Sequence, residues 1–240
     1  MFTLQMTVDS SPQDPRTRLV EATIRLLAKS GPSEVKARSV SSEAGLSTMG
    51  VYTHFSGVPE LLQAVADEGF NRQALLFGGL PPSDDPMADL CMMALACHDF
   101  ARRNPHLYDL MFGLSIHGRY SPTRGASEPV LSGQSASFRT AYGFLLRGCA
   151  RLVEAKCVGK TDPDLVALQF WSALHGFIML DLAGHFAHLA AAAAEVLMPM
   201  CVNIVVGLGA RRARAEASSA GAQAVWAGAQ NNKKPKPRKK

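Results

Sequence analysis

Four times along the chain an aspartate or asparagine stands directly before a proline at the head of a run with helical apolar spacing: Asp14-Pro15, Asp85-Pro86, Asn104-Pro105 and Asp162-Pro163. A short carboxylate or amide accepts from the free backbone N–H groups of a helix's first turn, and proline's fixed φ and missing N–H suit the first helical position. Repeated at these intervals, the signal predicts an all-α chain, and strands are hard to find. Apolar residues Leu19, Val20, Ile24, Leu26 and Leu27 fill out the first helix, which Gly31-Pro32 ends. Short helices are expected over about 37–44 and 48–54, and a longer one opens at Pro59 with Leu61, Leu62, Val65 and Phe70 on its apolar face. Gly78-Gly79 and Pro81-Pro82 close that helix and mark a domain boundary. Further helices follow over about 86–103, 105–111, 135–157, 163–186 and 189–209, the last bent at Pro199, whose ring obstructs a continuous helix. The stretch 113–134, rich in Gly, Ser and Pro, exceeds an ordinary connection and is read as a mobile loop.

Of the 240 residues 47% are apolar and 19% charged, enough apolar content to exclude a wholly disordered chain. The net charge of +5 is unevenly placed. From residue 211 onward there are nine Lys or Arg and one acid, whereas residues 1–210 hold sixteen basic and nineteen acidic side chains. Basicity therefore belongs to a tail. That tail, Ala/Gly/Ser/Asn-rich and ending in Lys-Lys-Pro-Lys-Pro-Arg-Lys-Lys, is expected to be disordered over 211–240. Cys91, Cys97, Cys149, Cys157 and Cys201 are odd in number and lack a C-x-x-C pair, which suggests reduced thiols and neither a disulfide framework nor a structural zinc site. Residues 1–11 lack the apolar run of a secretory leader and are read as a flexible terminus. The most apolar region, 170–210, is interrupted by His175, Asp181, His185, His188, Glu195 and Asn203, which argues for a buried helix pair and against a membrane span. A cytoplasmic protein without membrane association is expected.

Two short helices joined by Gly45-Leu46-Ser47 meet the requirements of a helix-turn-helix. Glycine permits the tight turn, and Val40, Ala44, Leu46 and Val51 can lock the helices together. The second helix would then enter a major groove about 12 Å wide. In Ser47-Thr48-Met49-Gly50-Val51-Tyr52-Thr53-His54-Phe55, the residues Thr48, Met49, Tyr52 and Thr53 form an outward set, while Val51 and Phe55 pack inward. The hydroxyls suit phosphates or base acceptors, and Met49 suits a thymine methyl.

With Ser42-Glu43-Ala44-Gly45-Leu46-Ser47, and above all Val51-Tyr52-Thr53-His54-Phe55 followed by Glu60-Leu61-Leu62, residues 14–62 resemble the DNA-binding domain of the TetR family of transcriptional regulators. The resemblance implies that Lys36, Arg38, Ser47, Thr48, Met49, Tyr52, Thr53 and His54 contact double-stranded operator DNA. Two positions depart from the family pattern: Val58 replaces a common phosphate-binding lysine, and Lys36 stands where Thr or Ser usually caps the second helix. One lost phosphate contact makes the salt dependence of binding shallower by about one unit.

Asn104-Pro105-His106-Leu107-Tyr108-Asp109-Leu110-Met111-Phe112 and Trp171-Ser172-Ala173-Leu174-His175-Gly176 are similar to stretches of TetR-family ligand domains of the Trp-His-Gly type. That likeness implies a homodimer through the helices of about 162–209, and the scarcity of polar residues over 170–210 supports it independently. Candidate contacts for a small apolar or amphipathic effector are Phe100, Met111, Phe112, Tyr142, Leu146, Trp171, His175 and Ile178, each of which can equally be plain core.

The organisation expected is a flexible terminus over 1–11, a DNA-binding domain over 12–58, a connecting helix over 59–79, a ligand and dimerisation domain over 85–210 and the tail. The functional expectation is a ligand-responsive repressor with no cofactor, catalytic residue or metal. Two other readings stay open: an architectural DNA binder relying on the tail, and a helical metal-dependent enzyme built on Asp181, His185 and His188, whose spacings of four and three fit one helix face.

Overall fold

The computed structural model describes residues 14–112 and 135–233, the side chains of 231–233 excepted. Ten α-helices and no strand occur among them. They are α1 (Pro15–Ser30), α2 (Ala37–Ala44), α3 (Thr48–His54), α4 (Val58–Gly78), α5 (Pro86–Arg103), α6 (Pro105–Phe112), α7 (Ala136–Glu154), α8 (Pro163–Leu182), α9 (Met198–Gly207) and α10 (Arg212–Lys233). The expected flexible terminus at 1–11 and loop at 113–134 lie outside the described residues.

The caps act as their chemistry requires. The Asp85 carboxylate accepts from Met87 N at 3.1 Å and Ala88 N at 3.2 Å, and the Asp162 carboxylate accepts from Asp164 N at 3.0 Å. Asn104 does something different: its side-chain amide donates to the Phe100 carbonyl at 2.9 Å, closing the end of α5 instead of capping α6.

Helices α1 to α3 bury Leu19, Ile24, Leu27, Val40, Ala44, Val51 and Phe55 against one another and against Leu61 and Val65 at the start of α4. Helix α4 then leaves this small domain and runs along α7 and α6. Contact with α6 is tight at Gly69, where a Cβ would sit 2.5 Å from Met111 Sδ and 3.3 Å from Leu107 Cδ1. The second domain is α5 to α10, with α7 and α8 packed on α5 and α9 beside α8.

Three expectations need correction. Helix α8 stops at Leu182, and a chain of turns with Gly184 at φ 83° occupies 183–191, where a helix from 189 was expected. Next, the irregularity at Pro199 is a wide π turn over Ala193–Leu197 running into α9. Proline cannot donate to the preceding turn, so the backbone widens there. Lastly, the tail is folded over 212–233 into α10, which lies along α5 and α9. Its contact stripe is Ala215, Ser218, Ser219 and Ala222, buried at spacings of three and four. Alanine carries high helix propensity, and small side chains let two helix backbones approach closely with little apolar area. Ser218 Oγ donates to the Asp85 carboxylate at 2.6 Å, and Arg103 Nη2 donates to Gln230 Oε1 at 3.3 Å, which fixes the register.

Candidate functional site

Between α2 and α3 the chain turns through Gly45 in the left-handed conformation, φ 64° and ψ 38°, and Leu46 N closes the turn on Ser41 O at 2.9 Å. Val51 is fully buried, which rotates Thr48, Met49, Tyr52 and Thr53 to the outside. Met49 is 69% and Tyr52 56% exposed, so both side chains are open to contact from outside. Thr53 Oγ1 donates to Met49 O at 2.9 Å, so its lone pairs face outward. Thr48 Oγ1 lies 3.3 Å from Ser41 Oγ and ties the two helices together. Ser47 is exposed at the head of α3, and His54 is half-buried at its end. Lys36 and Arg38 are exposed at the head of α2, with Lys36 Nζ 3.7 Å from Glu34. Val58, where the family pattern has lysine, begins α4 and packs partly against the core.

Arginines on α1 clamp this element, a role the sequence reading did not assign. Arg18 Nη2 donates to Ala44 O at 2.6 Å and Gly45 O at 3.3 Å, satisfying carbonyls at the end of α2. Arg25 pairs with Glu43 at 2.8 Å, and the Arg16 guanidinium sits 4.3 Å from the Phe55 ring centroid. Glu60 Oε2 accepts from Ser56 N at 2.8 Å, a bond that holds its carboxyl below the usual range and fastens the link from α3 to α4. The signal for this clamp was the arginine spacing on α1, visible only once α1 is known to cross the turn. Gly45→Ala places a Cβ 3.2 Å from Arg18 Nη2 in a left-handed residue. It is expected to lower unfolding free energy by about 1–2 kcal/mol, measured by urea titration.

An apolar cavity of about 50 Å³ lies between α4, α5, α6, α7, α8 and α9. Phe112, Tyr142, Trp171 and His175, four of the eight expected contacts, line it. The other four do not. Phe100 lies one turn beyond Cys97 on α5, and Ile178 one turn beyond Leu174 and His175 on α8. Leu146 follows Leu145 by one residue and so turns to another face of α7, while Met111 is spent against Gly69. Phe70, Gln73, Phe77 and Phe138 were missed. For the three on α4 the signal was a buried polar residue, Gln73, in the apolar stripe, at spacings of three and four from two phenylalanines.

Rings dominate the wall. Phe70 meets Phe138 edge-on at 5.2 Å, Phe138 stacks on Tyr142 at 5.8 Å, and Trp171 stands edge-on to Tyr142 at 5.7 Å. Behind them, Gln73 Nε2 donates to Cys97 Sγ at 3.3 Å, and the Tyr108 hydroxyl is hydrogen-bonded to His175 Nδ1. Burial pushes the Cys97 thiol up to about 12, which leaves it protonated and inert. A surface recess of about 260 Å³ shares Phe112, Trp171 and His175 with the cavity, so these three rings stand between the two spaces.

Burial pushes His175 down to about 3, and the ring stays neutral. Its folded value lies below the unfolded one of about 6.5, so the unfolded chain takes up a proton first as pH falls. The stability that this ring contributes is complete above about pH 6.5 and is lost as pH drops toward 3, with a slope approaching 1.4 kcal/mol per unit. His175→Gln is expected to flatten that slope between about pH 6 and 4.5, read from urea titrations across the window.

The proposed metal triad does not form. Helix α8 ends before His185 and His188, which are exposed in turns, and Asp181 instead meets His98 Nε2 at 2.8 Å. No group of three metal-binding side chains occurs among the described residues.

Fold and surface together define a helical protein that carries a helix-turn-helix. More particularly, residues 90–204 match the tetracyclin repressor-like C-terminal domain family. The chain is 23% identical over 173 residues to an uncharacterized HTH-type transcriptional regulator, Rv0681, of Mycobacterium tuberculosis, covering 70% of this chain and 71% of that one. Among solved structures, a protein of unknown function from Rhodococcus sp. RHA1 superposes with a TM-score of 0.68 at 21% identity, over 85% of this chain and 98% of that one. RolR in complex with resorcinol gives 0.62 at 19% identity, over 85% and 92%. The fatty acid degradation regulator FadR from Bacillus halodurans gives 0.62 at 12%, over 84% and 100%. The all-α fold is thus one this chain shares with these solved structures.

Proposed function

We propose that this chain is a ligand-responsive DNA-binding transcription regulator: a cytoplasmic homodimer that represses from a palindromic operator and is released by a small apolar or amphipathic molecule. The observation that carries the reading is α3, which turns Met49 and Tyr52 into solvent together with Thr48 and Thr53 while α1 clamps it from behind. In this reading Met49, Tyr52 and Thr53 meet base edges. Lys36, Arg38, Ser47, Thr48 and His54 hold phosphates. The likeness of the second domain to ligand domains of the Trp-His-Gly type belongs to the same reading, as does the resorcinol bound by RolR.

The exposed face of α8 supports the dimer. Leu165, Leu168 and Leu180 are exposed on this helix, and Ser172 and Gly176 are exposed between them on the same stripe. By length and composition α8 is apolar enough to cross a bilayer, with 28% of that stretch buried. Its packing on α5, α7 and α9, and the Asp181 pair with His98, favour a second copy as the cover. Two copies then present α3 to successive major grooves about 34–36 Å apart.

Release runs through α4, which carries Phe70, Gln73 and Phe77 into the cavity and Arg72 toward α1, where it pairs with Glu21. An effector that fits one tilt of α4 better than another shifts the spacing of the two reading helices, tenfold for each 1.4 kcal/mol of preference.

Selection of bound duplexes from a random-sequence library tests the proposal. Enrichment of a palindrome with half-sites about 10 base pairs apart, or a helical multiple, is expected. Enrichment of no sequence, or of an asymmetric site bound by a single copy, would overturn it. A chain ending at Lys233 is expected to keep the same preference. Loss of all binding would favour the architectural reading.

A further inference from the structure

We propose that the cavity takes an uncharged, single-ring aromatic molecule carrying a hydroxyl group, held through a hydrogen bond to the Tyr142 hydroxyl. This deepens the reading of the second domain as an effector domain and rests on it.

Tyr142 is 92% buried, lines the cavity, and its hydroxyl is the one buried side-chain polar atom without a hydrogen-bond partner among the described residues. Buried polar groups are nearly always paired, and a phenol oxygen left alone against an apolar space calls for a partner from outside the chain. Nothing on the neighbouring wall supplies one: Phe138 and Trp171 flank it with ring faces and edges.

Charge narrows the class. No Asp, Glu, Lys or Arg lines the cavity, and burial keeps His175 neutral. A carboxylate entering here would be stripped of water with no cation to meet it, which the apolar wall penalises heavily. Shape narrows it further. Phe138, Tyr142 and Trp171 contact one another at 5.7–5.8 Å, Phe112 and His175 continue the set at 4.2 Å, and a flat ring meets such walls edge-on or offset.

Size sets the limit at one ring. A cavity of roughly 150 Å³ admits benzene, and this one measures about 50 Å³. One ring therefore needs about three times the space the empty cavity shows, and Met93 and Met200, whose unbranched side chains line it, are the parts of the wall most able to move aside. A long acyl chain would require the helices themselves to part.

Calorimetry of the full chain and of Tyr142→Phe, with phenol, toluene, benzoate and octanoate as probes near neutral pH, decides the matter without DNA. Phenol is expected to bind about five- to tenfold more tightly than toluene, the worth of one hydrogen bond. Tyr142→Phe should lose that factor for phenol and keep its affinity for toluene, which shows the cavity still folded. Benzoate and octanoate should bind at least about a hundredfold more weakly than phenol. Unchanged phenol affinity in Tyr142→Phe, benzoate or octanoate binding as tightly as phenol, or no binding of phenol at millimolar concentration would each overturn the proposal. Failure to enrich an operator would instead sink the regulator reading and leave these affinities as measured.

Discussion

Exchanging Tyr52 and Thr53 together for alanine is expected to weaken binding to the selected operator by roughly a hundredfold or more, since each lost base contact is worth about 1–3 kcal/mol. Stability should barely change. Both side chains are exposed, Thr53 bonds only to the carbonyl of Met49 in its own helix, and alanine is the better helix former. Gel-shift titration and urea unfolding on the same preparation check the two halves. Unchanged sequence preference would show that α3 does not read DNA, and a large fall in stability would show that the pair belongs to the core.

Phe70→Ala carries the other large effect. The ring is 2% exposed and meets Phe112 at 5.5 Å and Phe138 at 5.2 Å, both edge-on, so one side chain joins α4, α6 and α7. Truncating a buried phenylalanine costs about 3–5 kcal/mol, toward the upper end where the surroundings cannot collapse. Gly69 already sits hard against Met111 next door, which leaves α6 little freedom to fill the gap. Urea unfolding should therefore show a loss of that order. A loss under about 1 kcal/mol would mean that the three helices are joined elsewhere.

Much of this architecture was legible because caps and prolines are local. Asp14, Asp85 and Asp162 act within three residues of themselves, so the starts of α1, α5 and α8 could be read without knowing the fold. Asn104 looked alike in the sequence yet closes α5, because an amide can donate as well as accept. Helix α10 escaped for the opposite reason. Ala215, Ser218, Ser219 and Ala222 bury little apolar area, and what seats them is close backbone approach to a helix more than a hundred residues earlier.

The two candidate sites differed in the same way. The outward face of α3 is defined by where Val51 and Phe55 are buried, and periodicity reports that directly. A cavity is a place where neighbouring helices fail to fill space. Periodicity placed Tyr142, Trp171 and His175 on buried faces but could not separate them from Phe100 or Ile178, one turn away. Arg18, Arg25 and Arg16 were invisible as a clamp because each finds its partner at least 18 residues along the chain.

Because Phe70 and Gln73 face the cavity while Arg72, between them in sequence, reaches Glu21, the proposed sensor and lever are opposite sides of a single rod about 10–12 Å across. In the regulator proposed above, news of occupancy would have only a helix diameter to cross. The gain of such a device would be capped by how differently one small molecule grips two poses of that rod.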